Sequence, residues 1–213
     1  MSDFVFGVDL DGVCADYMTG FAKFVSKELK VEESSLPEIT EWGYHQWGLD
    51  DEEFTKLHFK AVKQHLHRDL PIVEGCAEAL WRLSDAGVWI RLITHRLYTN
   101  WSHQAVVSDT VHWLDTHKIP YRDLCFLGNK PQVEANLYID DAPHNILGLR
   151  NAGNKVIVFD QPYNQHLDQP RAKSWLEVEE LVLESAAKLS GIQPQFPGMD
   201  AGADRLERYK ETD

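Results

Sequence analysis

Apolar residues follow two rhythms along this chain. Phe4 to Asp9 is a short apolar run without polar alternation, the pattern of a strand covered on both faces of a sheet. Tyr17, Phe21, Phe24, Val25 and Leu29 then recur at helical spacing, which predicts a helix leaving the first loop. From Val31 to Leu70 no strand pattern appears. Acidic and small residues lead into Glu41-Trp42-Gly43-Tyr44-His45-Gln46-Trp47-Gly48, dense in aromatics and glycines. Asp50 is placed to cap a helix whose first turn carries Asp51, Glu52 and Glu53, favourable at the positive end of a helix dipole. Phe54, Leu57, His58, Ala61, Val62 and His65 give that helix one apolar stripe. The stretch reads as a small helical insertion after the first strand.

Beyond Leu70 strand and helix alternate. Pro71 to Gly75 returns the chain to the core, and a helix follows with Cys76, Leu80 and Leu83 on one face. Gly87 suits the left-handed residue that ends it. Val88 to Ile93 is the next buried strand and delivers Thr94-His95-Arg96 at its end. Asn100 is placed to cap a helix with Val107, Val111 and Leu114, which stops before Pro120. Leu124 to Leu127 and Leu137 to Ile139 are further strands, the second ending in Asp140-Asp141. Pro143 suits the first turn of the next helix and Gly153 its stop. Lys155 to Phe159 makes the last strand, and Ser174 with Glu177 is a capping box before a helix bearing Val178, Leu181, Val182 and Leu189. This alternation predicts an α/β fold, a parallel sheet with helices on both faces. Residues 1–16 and 71–190 form its core, 17–70 a helical cap, and 191–213 an extended tail ending in a short charged helix.

Composition narrows the function. A chain of 213 residues, 43% hydrophobic, buries one full core with a modest insertion. No apolar run reaches membrane-spanning length and no basic-then-apolar leader opens the chain, so no membrane partner is expected. Cys14, Cys76 and Cys125 lie far apart and lack metal-ligand spacing, which fits a reducing cytoplasm. A net charge of −13 without a basic tract argues against a nucleic-acid polymer as partner. A small anionic substrate stays compatible where a bound cation reverses the local field. His58 with His65, or His65 with His67, lacks a carboxylate or cysteine to complete a zinc set, so these read as surface or core histidines.

Three strand ends carry complementary polar groups: Asp9 and Asp11, then Thr94, then Asp140 and Asp141, with Lys130 in a loop before the last pair. Parallel strands alternating with helices bring these ends to one edge of the sheet. The set suits phosphoryl transfer. A phosphomonoester repels an aspartate unless cations intervene, and Mg²⁺ on hard oxygens from Asp9, Asp140 and a backbone carbonyl supplies them. Lys130 adds a point charge, and the Thr94 hydroxyl and loop amides hold the remaining oxygens, Gly12 letting the backbone approach closely. Asp9 then serves as nucleophile and Asp11 as the acid and base.

The order Asp-x-Asp-Gly-Val, strand-end Thr, Lys, Asp-Asp resembles the haloacid dehalogenase-like superfamily of aspartate-nucleophile phosphatases. Asp9 to Tyr17, the aromatic insertion, Tyr138 to Pro143, and Tyr163-Asn164-Gln165-His166-Leu167 with Trp175 resemble the 5′(3′)-deoxyribonucleotidase family. The likeness runs to about Leu189. It implies a Rossmann-like core, a nucleoside monophosphate as substrate and Mg²⁺ as cofactor. It further implies that Asp9, the main-chain carbonyl of Asp11 and the Asp140 side chain meet the metal, with Asp141 orienting a bound water. Thr94 and Lys130 would hold the phosphate, Tyr17 would lie against the base, and Trp42, Tyr44 or Trp47 would close the pocket from the cap. His95-Arg96 departs from the family, which has a small hydroxyl residue and proline there; Arg96 is expected either at a phosphate or sugar oxygen or in solvent. A sugar-phosphate phosphatase uses the same residues, and a phospho-aspartate signalling receiver shares the acidic pair, Thr and Lys but lacks an insertion after strand one. Dehalogenation needs neither Asp11 nor Asp140. The tail segment Asp204-Arg205-Leu206-Glu207-Arg208 reads as a solvated helix end or a homodimer contact, and the sequence leaves both open.

Overall fold

A computed structural model describes residues 4–97 and 102–190. Its centre is one parallel sheet of β1 (Val5–Val8), β2 (Trp89–Thr94), β3 (Asp123–Phe126), β4 (Leu137–Asp140), β5 (Val156–Phe159) and β6 (Arg171–Ala172). The spatial order is β3-β2-β1-β4-β5-β6. β1 therefore lies inside the sheet, with Phe6 opposite Ile90 of β2 on one side and Leu137 of β4 on the other. The winding direction reverses between β1 and β4. In open α/β sheets the crevice for a ligand forms at the carboxyl ends of the strands at such a reversal.

β4 and β5 are buried throughout and β1 from Phe6 onward, on both faces, which is why these sequences are continuous apolar runs. Leu137, Ile139 and Ile157 join one core with helices α4 (Cys76–Asp85) and α7 (Trp175–Ser190). Their sequence neighbours Tyr138, Val156 and Val158 point to the opposite face, against Ile146 and Leu149 of α6 (Pro143–Asn151). α5 (His103–Thr116) completes the core with Trp113 and Leu114. No described helix is long and apolar enough to cross a membrane.

The chain leaves the sheet at Asp16 and returns at Pro71, where the Asp16 amide donates to the Pro71 carbonyl at 2.8 Å. Between them stand α1 (Tyr17–Leu29), α2 (Asp51–Lys63) and α3 (Leu66–Asp69). Asp16 caps α1 by accepting from the Thr19 amide, and Asp50 and Glu53 cap α2 reciprocally. Phe21 gathers the apolar side of this segment, with Tyr44, Phe54 and Trp47 rings 5.3, 5.7 and 6.2 Å from its own.

Three local expectations change, and one short strand is added. α2 stops at Lys63, so His65, with φ +64°, stands between helices and meets Asp109 at 3.0 Å rather than extending the stripe. The Glu177 amide donates to Ser174 Oγ, but the Glu177 carboxylate accepts from Lys173, so the capping box is not reciprocal. β6 was not expected, because Arg171-Ala172 is too short to carry a pattern. Ser102 is the residue before α5; Asn100 and the tail beyond Ser190 lie outside the described residues.

His67 in α3 is buried, and its Nδ1 has no hydrogen-bond partner among the described residues. Burial, reinforced by Arg96, holds its pKa near 3, against 6.5 for an ordinary histidine. The unfolded chain then binds a proton below pH 6.5 that the folded chain refuses, so this residue lowers stability as pH falls from that value toward 3. The expected loss is about 2 kcal/mol between pH 7 and 5. Thermal melts of the wild type and His67→Gln across that range check it: the wild-type melting temperature falls more steeply with acid than the variant's.

Candidate active site

The loop after β1 is short and internally tied. The amides of Cys14 and Ala15 both donate to the Leu10 carbonyl at 2.8 Å, and the Gly12 amide donates to the Ala15 carbonyl. Gly12 has φ +85°, and a Cβ there would stand 2.1 Å from Asp141 Oδ2. Only glycine fits both the backbone conformation and this approach. Gln161 Nε2 donates to the Gly12 carbonyl at 2.8 Å and fixes the loop from the far side of the sheet.

Asp9, Thr94, Lys130, Asp140 and Asp141 are all buried and meet at this loop. Lys130, opening a 3₁₀ turn (Lys130–Gln132), places Nζ 2.6 Å from Asp9 Oδ1 and 2.5 Å from Asp140 Oδ2. The other Asp140 oxygen accepts from the Ala142 amide at 3.0 Å and from Asn145 Nδ2 at 3.2 Å. Asp141 accepts from the Tyr163 hydroxyl, and its carbonyl accepts from Asn164 Nδ2 at 2.9 Å. One oxygen from each of Asp9, Asp140 and Asp141 lies within 4.8 Å of the others.

Charge governs this cluster. Burial raises the pKa of Asp9 to about 7, Lys130 works against it, and the carboxylates of Asp140 and Asp11 add to the rise. Burial, then Asp9 and Asp140, push Asp141 well above the usual carboxylate range. For Lys130 burial acts downward, but Asp140 and Asp9 outweigh it and hold the ammonium charged. Three buried carboxylates face one lysine, a hard-oxygen donor set short of positive charge, which suits a divalent cation such as Mg²⁺.

Arg96 corrects an expectation. Its side chain is buried, and its fork closes on Asp11 rather than opening on a phosphate site or solvent: Nε to Oδ2 at 2.9 Å and Nη2 to Oδ1 at 2.7 Å. A planar guanidinium matches a carboxylate in this two-point way. Burial alone would raise the Asp11 pKa; the Arg96 charge outweighs it and holds the carboxyl below its usual range. His95, the other departure, lines the cavity, and burial with Lys130 nearby keeps its pKa near 4.

Above this floor opens a cavity of about 370 Å³ between sheet edge and cap. Tyr17, Trp42, Tyr44, Phe54 and His58 form much of its wall. Tyr17 Oη lies 2.7 Å from His58 Nδ1, and Tyr44 stacks on Phe54 at 4.6 Å. Trp42 reaches from the cap to the core, its ring 5.0 Å from that of His144 and 5.4 Å from that of Tyr163. Trp47 does not line the cavity: it is buried inside the cap, its indole N–H donating to the Pro37 carbonyl at 2.8 Å. Asn145 and Gln161 carried no sequence signal for the site, and His58, expected in the apolar stripe of its helix, lines the cavity instead. Tyr163 and Asn164 fell in a stretch that carried the family resemblance, without a function attached.

Residues 3–189 match the family model described as "5' nucleotidase, deoxy (Pyrimidine), cytosolic type C protein". A Chlorobaculum tepidum protein provisionally named 5′(3′)-deoxyribonucleotidase is 40% identical over 180 residues, covering 84% of this chain and 89% of its own. The Bacillus subtilis 5′(3′)-deoxyribonucleotidase is 23% identical over 185 residues, covering 84% and 98%. Among solved structures, a haloacid dehalogenase-like protein of Agrobacterium tumefaciens overlays with TM-score 0.57 at 17% identity, covering 87% of this chain and all of its own (100%). A predicted phosphatase from Clostridium acetobutylicum gives TM-score 0.57 at 15% identity, covering 86% and 100%. These two likenesses establish the fold. With its parallel haloacid dehalogenase-like sheet and a family match spanning nearly the whole described chain, this protein belongs to the deoxy-type, cytosolic type C 5′-nucleotidase family, and is a phosphatase.

Proposed function

We propose that this protein hydrolyses nucleoside monophosphates, deoxynucleotides above all, through a phospho-aspartate at Asp9. The observation that supports the reading most is the meeting of Asp9, Thr94, Lys130 and Asp141 on the floor of an aromatic-walled cavity, with Asp140 behind it on Lys130. Mg²⁺, held by Asp9, Asp140 and the Asp11 carbonyl with Asp141 behind them, supplies charge neutralisation and Lewis acidity toward the phosphate when bound. Lys130 favours the anionic form of Asp9 against the burial that raises its pKa, and sets a positive charge where the phosphate arrives. The Thr94 hydroxyl and the amides of the Gly12 loop take up phosphate oxygens. An Asp9 carboxylate oxygen bonds to phosphorus as the ester P–O bond breaks, and Asp11, ionised on the Arg96 fork at rest, delivers to the leaving alkoxide a proton it has taken from solvent on a freed oxygen. Water then attacks phosphorus, Asp11 takes its proton, and phosphate departs with the Asp9 carboxylate restored.

The aromatic wall supports a nucleotide over a sugar phosphate. Tyr17, Trp42 and Tyr44 offer π faces to a planar base, whereas a bare sugar leaves them wet. Phosphate release from a panel of deoxy- and ribonucleoside monophosphates and sugar phosphates, with Mg²⁺ and with chelator, tests this. Turnover is expected with Mg²⁺ alone and strongest for deoxynucleotides. Strong sugar-phosphate turnover with a flat response to nucleotides would replace the substrate, and a phospho-Asp9 that persists for minutes without turnover would favour a signalling receiver.

A further inference from the structure

We infer that Arg96 is a positioning residue for Asp11: it docks the proton-transferring carboxylate and couples its place to that of the phosphate-holding Thr94. The inference rests on the hydrolase reading above. Arg96 lies two residues past Thr94, and its own amide donates to Thr94 Oγ1 at 3.3 Å. Its Nε and Nη2 hold both Asp11 oxygens, at 2.9 and 2.7 Å. Its Nη1 donates to Thr110 Oγ1 at 3.0 Å, and that hydroxyl donates in turn to the Val106 carbonyl of α5 at 2.7 Å. The guanidinium is thus gripped from the helix side while it grips Asp11, and it is itself buried. A surface arginine collecting a chance counter-ion has none of this support.

The geometry assigns Arg96 a task distinct from phosphate binding. The Asp11 side chain is 27% exposed, whereas that of Arg96 is 1% exposed, so the arginine is the enclosed partner and the Asp11 carboxylate the one with open space to turn into. With both oxygens on the fork, Asp11 must swing one of them free to meet a leaving oxygen or a water, and the remaining N–H···O contact is the hinge. His58 and His67, the titratable cap residues facing this pair, are held neutral by burial, with pKa values near 4 and 3. They supply no competing cation near neutral pH.

Leaving-group dependence tests this. An alkoxide leaving from a nucleotide needs the Asp11 proton; p-nitrophenolate hardly does. With Mg²⁺, Arg96→Gln is expected to lose kcat/KM, which reports phosphoryl transfer to Asp9 alone, on the order of 10²-fold on a deoxynucleoside monophosphate, within the range of general acid catalysis. It should lose less than about threefold in kcat/KM on p-nitrophenyl phosphate, the same selectivity as Asp11→Asn, while kcat, which includes the Asp11-assisted attack of water common to both esters, falls on both. Arg96→Lys restores part of the loss, because one ammonium cannot fork. Thr110→Val, which takes the Thr110 hydroxyl from Nη1 while keeping the guanidinium, shows the same ester selectivity at smaller size and carries the test if Arg96→Gln fails to fold. Equal losses of kcat/KM on both esters in these variants would overturn the inference, leaving Arg96 a structural residue or a phosphate ligand. Wild-type protein that hydrolyses neither ester contradicts the hydrolase reading and this inference with it, whereas wild-type turnover with unselective variants contradicts the inference alone.

Discussion

Asp9→Asn is expected to fold normally, melt at or above the wild-type temperature, and release phosphate at least about 10³-fold more slowly. The amide keeps the size of the carboxyl and removes the nucleophile proposed above. Its effect on stability has the opposite sign, because Asp9 is a buried acid beside Asp140 and Asp11 whose pKa rises to about 7. One negative charge fewer relieves that crowding, while the amide oxygen still accepts from Lys130, 2.6 Å away in the wild type. Thermal melts in chelator and a phosphate-release assay separate the two. A variant that is both inactive and unstable would mean that Asp9 holds the site together rather than reacting in it.

Lys130→Met is expected to fail in both respects. Its ammonium bridges Asp9 at 2.6 Å and Asp140 at 2.5 Å, and no described residue replaces that charge on the cluster's floor. Removing one partner of a buried ion pair costs about 3–5 kcal/mol, because the charges left behind remain out of water. For a chain of this size that is a drop of roughly 6–20 °C in melting temperature. Mg²⁺ recovers part of the drop by restoring positive charge to the carboxylates, but kcat stays down by about 10²-fold or more, since the charge beside the nucleophile is still missing. A variant that melts like the wild type in chelator would show that the pair contributes nothing to folding.

Much of this was legible in the chain because strand ends announce themselves. Asp9, Thr94 and Asp140 each terminate an apolar run, and parallel alternation carries all three to one edge. Lys130 had no periodicity to mark it and was found through motif order alone. Trp42, Tyr44 and Trp47 could not be sorted: within an irregular aromatic-glycine segment nothing says which rings face a cavity and which a core. Trp47 turns inward because the Pro37 carbonyl, ten residues earlier, accepts its N–H. Arg96 misled through adjacency, since a basic residue beside a phosphate-holding threonine reads as a phosphate ligand. Its partner Asp11 stands 85 residues away, a pairing that no local pattern encodes. Asn145, Gln161 and Tyr163 orient carboxylates and loop from behind, and such support becomes visible only once the elements pack.

The most direct test is acid quenching of the Mg²⁺-loaded protein during turnover of a deoxynucleoside monophosphate, followed by peptide mass spectrometry. A phosphoryl group on the peptide containing Asp9, present during steady turnover, gone once substrate is exhausted and absent from Asp9→Asn, is the predicted result. Phosphate released with every carboxylate unmodified, or a phosphoryl group carried by a residue other than Asp9, would contradict it.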